Sequence, residues 1–281
     1  MYSLPFSIPC VNYFCKEGFK MNVIDRFLRY VAYPTTSDEH TEAVPSTPGQ
    51  KVLAQALAEE LKELGLEDAL VDDYGRVYAH LPATPGKENE KVFGLIAHMD
   101  TSPDASGKDI HPRMVAYTGG DIVLNQDKGI VMRQADFPVL ENYVNQTLIV
   151  TDGTTLLGAD DKAGVAEIVS ALEYLIAHPE IAHGPLAVAF TPDEEIGCGA
   201  DHFDFKRFKA DYAYTVDGGA LGEVEYENFN AANAGIKIHG RNIHPGSAKN
   251  IMKNAVLLAN QLISLLPPAE TPAHTEGYEG F

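Results

Sequence analysis

TLIVTDGTTLLGADDKAGVAEIVSALEYLIA, residues 147–177, decides the fold. The opening TLIV (147–150) is a short apolar run of the kind a buried strand presents. Beyond Asp161, residues Val165, Ile168, Val169, Leu172, Leu175 and Ile176 recur on one helical stripe until Pro179 stops it. Strand, acidic loop and amphipathic helix in succession make the repeating unit of an α/β layer structure.

The same alternation extends in both directions. VFGLIA (92–97), LAVAF (186–190) and YAYTV (212–216) read as further buried strands. Val23, Phe27, Leu28 and Val31 mark a helix after Met21. Residues 47–64 read as the clearest helix: Thr47 as cap, Pro48 at the first position, Gln50 closing a capping box, and Leu53, Leu57, Leu61 and Leu64 on one face before Gly65. The predicted architecture is α/β, a mostly parallel sheet flanked by helices. After Gly218-Gly219 the pattern shifts, and residues 223–240 read as a meander. One helix comes next, with Ile251, Ala255, Leu258, Leu262 and Leu265 on its apolar face.

Composition narrows the function classes. Forty acidic against 21 basic residues in 281 leave a net charge of −19, which disfavours nucleic acid and anionic membranes as partners. No apolar run reaches the ~20 residues of a membrane span. Cys10, Cys15 and Cys198 are too scattered for a disulfide framework, so a reducing, cytoplasmic setting is expected. Residues 1–20 lack the basic start and sustained apolar core of a signal peptide, and are expected to be an extension outside the fold.

The strands end in loops rich in acids. VFGLIA runs into His98-Met99-Asp100, TLIV into the loop holding Asp160-Asp161, LAVAF into Glu194-Glu195, and YAYTV into Asp217. Ligands of open α/β sheets bind beyond the carboxyl ends of the strands. So many anions at one edge repel unless they share protons or cations. One imidazole with several carboxylates suits Zn²⁺, Mn²⁺ or Co²⁺. His98 and Asp100, two apart on a strand, face the same side, which lets Asp100 receive the imidazole's second N–H. Asp160-Asp161-Lys162 reads equally as a helix cap with an acid in the first turn. From spacing alone His244 is a turn residue.

The runs HMDTSPDASG (98–107), TLLGADDKAGVAEI (155–168), AFTPDEEIGCGADHFD (189–204) and AYTVDGGALGEVEYENFNAA (213–232) resemble the peptidase T family of co-catalytic zinc metallopeptidases, which are tripeptide aminopeptidases. IHPGSAKNIMKNA (243–255) and TEGYEGF (275–281) resemble the adjoining part of that family. The resemblance runs from Met21 to Phe281. It implies a catalytic metal-binding domain over 21–228 and, over 229–281, the start of an inserted lid that also serves homodimerisation. It implies two Zn²⁺, or Co²⁺ or Mn²⁺ in their place: His98 and Asp217 on one, Glu195 on the other, and Asp161 bridging. Glu194 is implied as general base, Asp100 as the carboxylate behind His98, and His244 as the lid residue that binds the substrate carbonyl. The implied substrate is a short peptide with a free amino terminus. Related dipeptidases and aminoacylases share the metal core and are the alternative activities. The family supplies one more His ligand further along its chain. The expectation is therefore that these residues form the N-terminal two-thirds of such an enzyme, with little turnover when expressed alone.

Overall fold

The computed structural model describes residues 21–220, 222–226, 232, 234–271 and 273–274. The expected extension (1–20), TEGYEGF and part of the expected meander lie outside them. The chain forms two compact units, one ending at Ala220 and the other beginning at Leu221.

The first unit is built on a sheet. In chain order it contains α1 (Val23–Val31), α2 (Pro48–Glu63), β1 (Leu70–Val71), β2 (Val77–Leu81), β3 (Phe93–His98), β4 (Arg113–Tyr117), β5 (Ile122–Asn125), β6 (Ile130–Met132), β7 (Gln146–Val150), α3 (Ala159–Ala177), β8 (Leu186–Thr191), α4 (Phe205–Phe208) and β9 (Tyr212–Thr215). The main sheet has the order β1-β2-β8-β3-β9. β8, β3 and β9 are parallel, with His98 opposite Thr191 and Ile96 opposite Thr215, while β1 and β2 add antiparallel pairings. The sheet is thus mixed, and its parallel part carries the loops of interest.

One face of the sheet is covered by α1, α2 and α3. The core joins Leu53, Leu57 and Leu61 of α2 and Val165, Ile168, Val169 and Leu172 of α3 to Ala97, Val188 and Phe190 of the strands. The six residues of β8 are all buried, as a strand flanked on both sides and covered on both faces must be. Three helices are also tied by charge. Arg26 of α1 donates to Glu60 of α2 and Glu173 of α3, both at 2.7 Å, and Tyr30 Oη donates to the other Glu60 oxygen at 2.8 Å. A buried guanidinium needs such partners.

Four expectations change. TLIV lies in β7, which pairs antiparallel with β4 in a separate two-stranded sheet. Its short apolar run cannot tell a main-sheet strand from a satellite one. Asp160 and Asp161 therefore come to the sheet edge on the start of α3. Thr47 makes no side-chain cap to α2; its hydroxyl donates to Thr36 O at 2.9 Å and accepts from Gln50 Nε2 at 3.2 Å, while Gln50 also reaches Asp193. The described residues of 223–240 include no strand, and Val224, Tyr226 and Ile236 are exposed, so no buried face fixes a register. In the second unit, α5 (Ala255–Ile263) is shorter than expected, because Asn254 caps it through Val256 N and Leu257 N and leaves Ile251 outside.

Candidate metal centre

β3 and β9 deliver His98 and Asp217 to the carboxyl edge of the sheet, and β8 ends at Thr191, two residues before Asp193-Glu194-Glu195. α3 reaches the same edge by packing very close. A Cβ on Gly164 would lie 1.9 Å from Val216 O, so only glycine lets the first turn of α3 approach β9.

His98 is buried and its two ring nitrogens face carboxylates. Nδ1 lies 3.2 Å from Asp100 Oδ1. Nε2 lies 2.9 Å from Asp160 Oδ1, 3.7 Å from Asp217 Oδ2 and 3.8 Å from Glu194 Oε2. One ligand atom each from His98, Asp160 and Asp217 fits within 4.8 Å of the others, a group able to hold a metal ion. Asp100 is fully buried; it accepts the Ser37 hydroxyl and, at 3.1 Å each, the backbone N–H groups of Glu194 and Glu195. It therefore sits beside the imidazole on one side and holds the backbone of the glutamate loop on the other.

The acidic dipeptide of α3 splits. Asp161, 3% exposed, accepts the His98 N–H at 3.1 Å on one oxygen and the Gly164 N–H at 3.2 Å on the other. The second bond, three residues along, is a helix-capping bond. Asp160, joined to it by a cis peptide, has a side chain 72% exposed that turns to His98 Nε2. Among the residues expected at the metal, His98 and Asp217 are brought together, Glu194 and Glu195 border them, and Asp161 is turned to the backbone. Asp160 takes its place beside the imidazole.

The electrostatics show a site short of positive charge. Burial pulls His98 down, yet Asp100, Asp161 and Asp217 together push it up to about 10. Burial, then the charge of Asp217, lifts Asp161 to about 8. Glu194 and Asp217 are raised by burial and by neighbouring carboxylates against the pull of His98. Glu195 is raised by burial and then by the charge of Asp160, against the pull of His98. Asp100 is lowered: burial opposes its charge, but the bonds from His98 and Ser37 outweigh it. Carboxylates that repel one another around an imidazole fit a divalent cation in both charge and donor type.

His244 lies in the second unit, where its Nδ1 accepts the Gly246 N–H at 3.1 Å. Spacing gives no signal for Ser37, Ser46 or Gln50 at the site, although Gln50 stands out in sequence for its place in the capping-box pattern.

Residues 226–281 match the family model of the M20 peptidase dimerisation domain. Along most of its length the chain is similar to peptidase T proteins. It is 60% identical over 260 residues to peptidase T of Caldanaerobacter subterraneus, covering 92% of this chain and 63% of that protein. Peptidase T of Clostridium novyi is 58% identical over 260 residues, covering 92% and 64%. The crystal structure of aminopeptidase PepT from Bacillus cereus superposes with a TM-score of 0.55 at 25% identity, over 88% of this chain and 56% of that one. The chain thus spans less than two thirds of the length of these relatives.

Proposed function

We propose that this sequence carries the metal-binding half of an aminopeptidase that removes the first residue of tripeptides. The observation that carries the reading is the convergence of His98 Nε2, Asp160 and Asp217, with the Glu194 carboxyl 3.8 Å from the same nitrogen. The peptidase T homology supports the reaction and the substrate class.

His98, Asp160 and Asp217 would hold one divalent cation, and Glu195 a second, with Asp160 serving both; Zn²⁺ is the proposed metal, Co²⁺ or Mn²⁺ its substitutes. A cation in this place supplies polarisation of the peptide carbonyl and acidification of water. Asp100 keeps a proton on His98 Nδ1, so that Nε2 presents its lone pair to the site. Glu194, part-exposed and with its carboxyl raised by its surroundings, is the group that takes a proton from water and returns it to the leaving amine. The acidic rim of Glu194 and Glu195 gives a positively charged peptide amino terminus an electrostatic partner. The lid function of residues 229–281, with His244 on the substrate carbonyl, belongs to the same proposal.

A homodimer through that segment is supported by the dimerisation-domain match and by the exposure of Val256, Leu257 and Ile263 on α5. A cytoplasmic setting is supported by the sparse cysteines. No helix of the described residues is long and apolar enough to cross a membrane. The test offers the metal-loaded full gene product a tripeptide, a dipeptide and an N-acylated amino acid. Release of the free N-terminal residue from the tripeptide is expected. Preference for the N-acylated compound, or no turnover of any of the three, would overturn the reading.

A further inference from the structure

We infer that Gln50, acting with Ser46 on Asp193, is a positioning residue that aims the Glu194-Glu195 pair. The inference rests on the proposed roles of those two glutamates. In an extended chain adjacent side chains point to opposite faces. For both glutamates to border one site, the chain leaving β8 must turn sharply and be held there.

It is held at three successive backbone donors. The Asp193 N–H donates to Gln50 Oε1 at 3.1 Å, the Glu194 N–H to Asp100 Oδ1 and the Glu195 N–H to Asp100 Oδ2. Gln50 completes a reciprocal pair, because its Nε2 donates back to Asp193 Oδ1 at 2.7 Å. Ser46 adds its backbone N–H to Asp193 Oδ2 at 2.8 Å, and its hydroxyl to Oδ1. Gln50 is 0% and Asp193 2% exposed, so these bonds form away from water, where an unmet donor is costly. Asp193 itself sits at φ 58°, a left-handed conformation that aspartate adopts more readily than most non-glycine residues and that these bonds help to hold. Gln50 lies in the first turn of α2, whose apolar face is locked into the core, so the clamp transmits the rigidity of a helix to a loop. The same Gln50 amide also lies 3.2 Å from Ser46 Oγ and from Thr47 Oγ1, so the residue that fits a capping box by sequence ties this loop to the start of α2.

The test uses the purified chain with Co²⁺ as probe. Gln50→Glu sets a carboxylate against that of Asp193. Adding Asp193→Asn restores one amide and one carboxylate with their positions exchanged. Two quantities are read: Co²⁺ affinity, and hydrogen exchange of the segment 193–195. Gln50→Glu is expected to weaken Co²⁺ binding by about 10–100-fold, as loss of support behind a ligand does. It is also expected to speed exchange of 193–195 by about tenfold or more through local opening. The double variant is expected to recover both. Leu172→Ala, in the core of α3, should lower the melting temperature without changing Co²⁺ affinity of the folded chain. Parent-like exchange at 193–195 in Gln50→Glu would overturn the inference, as would failure of the double variant to recover. Parent chain that binds no Co²⁺ would overturn the metal reading instead, and the exchange measurement would still decide the clamp.

Discussion

Asp160-Asp161 and Glu194-Glu195 are both adjacent acids at the carboxyl edge of one sheet, yet their backbones use them differently. In the aspartate pair the two residues diverge. Asp161 spends both oxygens on backbone N–H groups, at His98 and Gly164, while Asp160 reaches His98 Nε2. In the glutamate pair the backbone is what is held, by Asp100 and, through Asp193, by Gln50, and the Glu194 carboxyl stays free to approach His98 Nε2 at 3.8 Å. The first pair joins one acid committed to the backbone and, in the proposed reading, one that serves a cation. The second keeps both acids for the proposed site and takes its backbone support from residues distant in sequence. A run of acids therefore does not reveal how many of them can serve a cation; the number of carboxylate oxygens committed to N–H groups does.

Three substitutions sharpen this contrast, in order of expected size. Glu194→Gln should lower turnover of the metal-loaded full gene product by about 10²–10⁴-fold, the usual contribution of a general base, with metal content unchanged. Steady-state kinetics beside elemental analysis would check it, and near-normal turnover would remove Glu194 from the role. Glu195→Gln should instead weaken one of two metal sites by about 10–100-fold. A titration showing two steps in the parent and one displaced step in the variant is the expected outcome; two unmoved steps would make the glutamates equivalent bystanders. Asp161→Asn should act on the fold. Replacing one acceptor by an amide sets N–H against N–H in a buried place, at about 1–3 kcal/mol. Denaturant unfolding measures it, and no loss of stability would mean that the backbone bonds of Asp161 are dispensable.

Much of the site was legible before the structure. His98, Asp100 and Asp217 emerge directly from apolar runs that end in acids, because a parallel strand delivers the residues at its C-terminal end to the carboxyl edge of the sheet. Glu194 and Glu195 were reached the same way. The choice between Asp160 and Asp161 was not legible from spacing, since either could cap α3, and the decision is made by torsions: φ −83°, ψ 106° at Asp160 and φ −120°, ψ 33° at Asp161, both outside the helix. The capping alternative that the sequence left open is the one Asp161 takes. Gln50 was visible but misread, because a cap and a clamp to a loop more than a hundred residues away share one local signature. β2 lacked a sufficiently apolar run to stand out, and the satellite placement of β7 could not be read from four apolar residues.

The central claim is that Asp160, and not Asp161, carries the cation beside His98. The most direct measurement is the zinc-to-protein ratio of the purified chain and of its Asp160→Asn and Asp161→Asn variants, each loaded with Zn²⁺ and desalted. Asp160→Asn is expected to lose the metal, and Asp161→Asn to retain the parent ratio at reduced stability. Retention of metal by Asp160→Asn together with its loss from folded Asp161→Asn would contradict the claim.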